Sequence, residues 1–258
     1  MDDRRLVLSL RGIEKSFGQV HVLKGVDLDV YAGEVVALVG DNGAGKSTLV
    51  KIIAGVHPAD TGTIEVEGKA VRFATPHDAT RAGLSTVYQD LALAENLDVT
   101  ANLFLGREEK SGLVLSEEVM EASARKVLAR LGTTITDARK HVGSLSGGQR
   151  QACAIARSLL YEAKYVQLDE PTAALGVTQT RQVLGIIDSL RQQDVAVVVI
   201  SHNLVDVFSI ADRIVVLRLG RNAADFKVGD VDPDQVVAAM TGASTLTPVG
   251  APMAGAEE

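Results

Sequence analysis

Gly40-Asp41-Asn42-Gly43-Ala44-Gly45-Lys46-Ser47-Thr48 follows directly on the apolar run 34–39 and leads into a helical pattern over 47–55. The stretch fits G-x-x-x-x-G-K-[ST] between a predicted strand and a predicted helix, the context in which that pattern carries meaning. Its glycines permit backbone conformations that turn successive N–H groups toward phosphate oxygens. The helix beginning near Lys46 adds unpaired amides and the positive end of its dipole. Lys46 is placed to reach the β- and γ-phosphates of a nucleotide, and Ser47 to ligate Mg²⁺. A glycine-rich stretch can be only a tight turn, but here the lysine, the hydroxyl and both flanking elements agree.

Further along, the apolar strand 165–168 ends at Asp169-Glu170. Asp169 is placed to hold Mg²⁺, directly or through a water. Glu170, one position on, can polarise a water in line with the γ-phosphate. Acidic residues at strand ends often only cap a helix; beside a phosphate loop the catalytic reading takes precedence. Helical patterns at 148–161 and 178–192 alternate with buried-type strands at 165–168, 195–200 and 212–217, which argues for a parallel α/β sheet. The N-terminal third reads as strands at 4–10, 20–30 and 34–39, with a turn near Gly18 and a hairpin of 63–67 and 69–73 about Gly68. Residues 91–135 turn helical, and Val119, Val127, Leu128 and Leu131 have spacings compatible with one face. They read as an inserted helical subdomain. The boundaries are 4–90 for the first part of a nucleotide-binding core, 91–143 for the helical insertion, 144–241 for the second part of the core, and 242–258 for a loose tail without chemistry.

Composition removes several classes. With 258 residues and 46% apolar content the chain can bury a full core, which excludes a wholly disordered protein. A net charge of −7 leaves no global basic footprint, and five Phe and four Tyr are too few and scattered to stack bases, so no nucleic-acid partner is expected. The single Cys153 cannot form an internal disulfide, which fits a reducing compartment, and it reads as an inert thiol. The longest apolar run, 195–200, falls far short of the roughly 20 residues of a spanning helix. No signal-like run follows the charged first residues, so a cytosolic chain reaching the membrane through a partner is expected. His21, His57, His77 and His141 lack metal-ligand spacing and are assigned surface or structural roles. Paired-carboxylate glycosidase chemistry at Asp169 and Glu170 would not require the phosphate loop.

Leu145-Ser146-Gly147-Gly148-Gln149-Arg150-Gln151 opens a helix with a hydroxyl and backbone donors, a second anion-binding surface. No lysine-bearing loop accompanies it, so it is not a second complete nucleotide site, and a simple cap needs only one small polar residue. On these residues, with 40–48, Gln89, Leu168-Asp169-Glu170 and His202 in the same order, the chain resembles nucleotide-binding subunits of ATP-binding-cassette proteins over about residues 4–240. The resemblance implies an α/β fold: a P-loop NTPase core with a RecA-like parallel sheet, an N-terminal antiparallel β subdomain and an inserted helical subdomain. It also implies an ATPase using ATP and Mg²⁺ in a head-to-tail dimer with a second copy of the chain. Ser146, Gly147, Gly148 and Gln149 would then face the γ-phosphate held by Lys46 of the other copy. By the same resemblance Gln89 senses Mg²⁺ and the attacking water, His202 contacts the γ-phosphate and Phe17 stacks on adenine.

One position departs from the family pattern: Gly176 stands where most such ATPases carry an aspartate, which puts a dimer-crossing carboxylate contact in doubt. The stretch 170–177 is instead similar to ATPases of bacterial monosaccharide importers of the ribose, xylose and fructose kind, as are 87–90, 102–107 and Met240-Thr241-Gly242. That subgroup implies transmembrane permease subunits, indirectly a periplasmic sugar-binding protein, and a peripheral location on the cytoplasmic side of the inner membrane. The competing readings are a cassette for another solute or for export, a soluble cassette acting on ribosomes or DNA, and a regulatory ATP-binding module without turnover.

Overall fold

The computed structural model describes residues 4–111 and 114–243. Strands β1 (Leu6–Phe17) and β2 (Val20–Tyr31) form a long antiparallel hairpin whose last pair is Phe17 with Val20. β3 (Val35–Val39) opens a second sheet and runs into the phosphate loop and α1 (Lys46–Ile53). β4 (Thr61–Val66) and β5 (Lys69–Val71) then return to the first sheet, ordered β2-β1-β4-β5. α2 (Pro76–Arg81) starts on a capping box between Thr75 and Asp78 and leads into β6 (Leu84–Val87).

The helical insertion holds α3 (Val99–Phe104), the two-residue strands β7 (Lys110–Ser111) and β8 (Val114–Leu115), and α4 (Glu117–Arg130). α5 (Gly147–Leu159) packs on α3, α4 and α6, and so joins the insertion to the core. The chain then alternates through β9 (Tyr165–Asp169), α6 (Val177–Gln192), β10 (Ala196–Ile200), α7 (Leu204–Ile210), β11 (Arg213–Arg218), β12 (Arg221–Lys227) and α8 (Pro233–Thr241). The main sheet has the order β12-β11-β3-β10-β9-β6, parallel except for the edge strand β12.

This sheet divides two apolar cores. On β3, Val35, Ala37 and Val39 face the side of α5 and α6, while Val36 and Leu38 face α1 and the antiparallel sheet. The alternation is the period-2 geometry of a strand. Both faces are covered, so every residue of β3 and β10 is buried, as a parallel sheet requires.

Some elements differ from expectation. α2, β6, α7 and β12 were not foreseen, nor were the short strands β7 and β8 within the stretch read as helical, and 212–217 is not the last strand. β6 is only four residues long with half-buried Ser85 and Thr86, too short and polar to read as an interior strand. Val119 does not share the buried face of α4; it is 55% exposed, and Met120, Ala124, Val127 and Leu128 make that face. Of the tail assigned to 242–258, residues 244–258 lie outside the described residues.

Candidate active site

Geometry forces glycine at two points of the phosphate loop. Gly40 has φ 149°, and a Cβ there would sit 2.2 Å from the Leu217 carbonyl oxygen. Gly45 has φ 106°, and its Cβ would meet Leu23 Cδ2 at 2.6 Å. Gly45 is also the N-cap of α1 and has no side chain to satisfy the first amides, which leaves those donors for an anion. The Lys46 ammonium folds back on the loop and donates to the carbonyls of Gly40 and, at 3.1 Å, Asp41. Burial lowers the Lys46 pKa, while Glu170, Asp41 and Asp169 oppose the shift.

Parallel pairing of β9 with β10 sets the acidic pair at the carboxyl end of the sheet. Burial and then the like charge of Glu170 push the Asp169 carboxyl upward, with Lys46 and Lys51 pulling the other way. Glu170 takes a left-handed backbone, φ 49°, uncommon outside glycine, while its N–H donates to the Ile200 carbonyl at 2.9 Å. The conformation sends its carboxylate to His202, whose Nδ1 lies 2.8 Å from Glu170 Oε1. Sequence reading proposed both residues separately; only the pairing of β9 with β10 shows that they touch.

The sequence predicted Gln89, which lies exposed just beyond β6. The loop behind it is held from two sides that the sequence did not reveal. Arg157, near the end of α5, donates to the carbonyls of Leu91 and Ala92 at 3.2 and 3.1 Å. The fully buried Asn102 takes the Ala94 N–H at 2.7 Å and donates back to the Ala94 and Asp98 carbonyls. The signature helix α5 is therefore tied at its far end to the segment following Gln89. At its near end Ser146 and Gln149 form a reciprocal capping box. Gly147 and Gly148 let α5 approach α6 and the turn before it closely: added Cβ atoms would meet Leu175 Cδ2 at 2.8 Å and Gln179 Cβ, on α6, at 3.2 Å.

Residues 145–151 do not line the cavity at the phosphate loop, which among the described residues is bounded by Val22 and 42–48. Gly176 caps α6 with φ −74°, a conformation open to any residue, so the backbone gives no reason for glycine there. Phe17 is 45% exposed at the tip of the first hairpin and hence not a core side chain. His57, assigned a bland role from sequence, meets its ring at 5.3 Å. Cys153 is fully buried and its thiol is pushed up to about 12 by desolvation, in keeping with an inert role.

The donor set suits Mg²⁺: the Ser47 hydroxyl, the Asp169 carboxylate and the Gln89 amide are hard oxygen ligands. Among the described residues no group of three or more His, Cys, Asp or Glu gathers to hold a metal alone.

The fold and loop define a P-loop nucleoside triphosphatase. Residues 23–173 match the model of the family described as ABC transporter. The chain is 43% identical to the xylose/arabinose import ATP-binding protein of Sulfolobus acidocaldarius over 91% of its length and 94% of that protein's. It is 45% identical to the fructose import ATP-binding protein of Rhizobium meliloti over 92% and 94%. The solved ADP conformation of an ATP-binding cassette of an ABC transporter superposes with a TM-score of 0.80 at 28% identity, covering 92% of this chain and 99% of that one. The chain belongs to the ABC transporter family and is an ATPase of that family. Among the described residues no helix is long and apolar enough to cross a membrane.

Proposed function

We propose that the chain is the ATP-hydrolysing subunit of an importer for a monosaccharide, acting as a head-to-tail pair of copies beneath a transmembrane permease on the cytoplasmic side of the inner membrane. The observation that carries this reading is the 43–45% identity, over nearly the whole of both chains, to import ATP-binding proteins for xylose/arabinose and fructose. A periplasmic sugar-binding protein would deliver the solute to the permease.

In this reading, the loop amides of 40–48 and Lys46 bind the β- and γ-phosphates, and Phe17 stacks on adenine. Ser47, Asp169 and Gln89 hold Mg²⁺, which when bound neutralises charge on the phosphates. Ser146, Gly147, Gly148 and Gln149 of one copy close on the γ-phosphate held by the other. Such closure excludes bulk water and strengthens every local electrostatic contact. Glu170 orients and deprotonates the attacking water, and His202, in contact with it, contacts the γ-phosphate. Movement at Gln89 passes through the segment held by Arg157 and Asn102 to α5 and to the permease.

Affinity capture of the Glu170→Gln protein with ATP from detergent-solubilised membranes tests the assignment. Retention of a multi-span permease together with a sugar-binding protein is expected. Recovery with ribosomal or DNA-processing partners and no permease would overturn the importer reading and leave the ATP site standing.

A further inference from the structure

Phe17 sits in a small electrostatic assembly that no part of the reaction yet uses. Lys15 and Phe17 are two apart on β1 and so project to the same face of the strand. The Lys15 ammonium lies 5.6 Å from the centroid, over the Phe17 ring. Its side chain is only 11% exposed and is fixed by Asp60, whose Oδ1 it meets at 2.6 Å. The other oxygen of Asp60 accepts the Ser16 N–H at 2.7 Å, and the Asp60 N–H donates to the Glu14 carbonyl at 2.9 Å. Residues 14–16 are thus clamped onto the loop that leaves the far end of α1. On that same loop the His57 ring packs against Phe17 in a T-shaped pair, ring planes at 73°, and the His57 backbone N–H is anchored on the Lys51 carbonyl.

We propose that Lys15, held by Asp60, is a positioning residue for base recognition: it fixes the Phe17 ring and polarises it from one face, so that the exposed face stacks more strongly on an electron-rich purine. The proposal rests on the assignment of Phe17 as the adenine platform. Physically, a cation over one face of an aromatic ring draws π-density toward itself and leaves the opposite face less repulsive to a second π-system. Fixing the ring in advance also removes an ordering cost from binding. The clamp to the α1 loop ties the base platform to the helix that carries Lys46, setting base and phosphates in register.

Binding of MgATP and of Mg-tripolyphosphate, which lacks base and sugar, is measured in the Glu170→Gln protein carrying Lys15→Met, Lys15→Arg, Phe17→Ala, or Lys15→Met with Phe17→Ala. Lys15→Met should weaken ATP about threefold to fivefold and leave tripolyphosphate unchanged, while Lys15→Arg binds ATP like the parent. In the Phe17→Ala background Lys15→Met should have no further effect. Should Lys15→Met fail to fold, Asp60→Asn, which releases the ammonium, should give the same selective loss. Equal weakening of both ligands, or a loss that persists without the Phe17 ring, would reduce Lys15 to a structural role and overturn the proposal. An unchanged ATP affinity in Lys15→Met alongside a loss in Phe17→Ala would overturn it too. Unchanged affinity in Phe17→Ala itself would remove the platform assignment and the proposal with it.

Discussion

Replacing Gln167 by leucine should cost the protein a large part of its stability, although the position lies in the middle of an apolar strand. Gln167 is fully buried on β9, between β10 and β6. Its carbonyl accepts the hydroxyl of the equally buried Tyr165 at 3.1 Å. Its amide donates to the Thr86 hydroxyl at 2.7 Å and to the Val50 carbonyl at 2.9 Å. One side chain therefore links the strand ending at Asp169, the strand leading to Gln89, and the helix that begins with Lys46. Val50 keeps its helical partner, the Ala54 N–H at 2.9 Å, so the losses fall on Tyr165 and Thr86. Each stranded polar group costs about 1–3 kcal/mol, more for the buried phenol than for the half-buried threonine, giving about 2–4 kcal/mol in all. For a chain of this size that lowers Tm by about 5–12 °C. Thermal unfolding followed by circular dichroism reads the shift. Adding Tyr165→Phe removes the stranded hydroxyl and should recover about 1–2 kcal/mol. A Gln167→Leu protein as stable as the parent, or a double variant no better than the single, would refute the network argument.

Three further outcomes follow from the site. Glu170→Gln preserves shape and backbone but removes the base, so phosphate release should fall by about 10²–10⁴-fold with ATP affinity retained; undiminished turnover would remove Glu170 from the mechanism. Asp169→Asn should stabilise the nucleotide-free protein. A carboxyl whose folded pKa is raised above its ordinary 3.8 costs stability wherever it is ionised, and the cost fades as pH falls through the folded value. The gain in Tm should thus be present at about pH 8 and vanish on acidification below the ordinary aspartate range, while Mg²⁺-dependent hydrolysis is lost. A gain that grew as pH fell would contradict the sign. With its thiol pushed up to about 12, Cys153 should be alkylated at about pH 8 roughly a thousandfold more slowly than an ordinary exposed thiol in mass-spectrometric time courses.

The sequence disclosed those parts of the molecule whose chemistry is local. The loop 40–48 declares itself because lysine, hydroxyl and glycines must lie in a fixed order, and Gly40 and Gly45 prove to be places where a Cβ would collide. The signature stretch is legible for the same reason. What stayed hidden depends on pairing between distant segments. Glu170 and His202 meet only because β9 and β10 are parallel neighbours. Arg157 and Asn102 look like ordinary helical residues until the loop following Gln89 folds onto them. β6 escaped notice because four residues with two half-buried hydroxyls carry no apolar run. Val119 was misplaced by one position on α4: Met120 takes the buried face, and a single residue is 100° of a helix.

The most direct test mixes two inactive proteins. Lys46→Ala destroys the phosphate site of a copy but leaves its signature helix, and Ser146→Arg does the converse. If each ATP is hydrolysed between the loop of one copy and the α5 terminus of the other, mixed pairs contain one intact site. An equimolar mixture should then recover roughly a quarter of parental phosphate release, from statistical pairing with one working site in half the dimers. A mixture no more active than either variant alone would contradict the two-copy site and require residues 145–151 to act on their own chain.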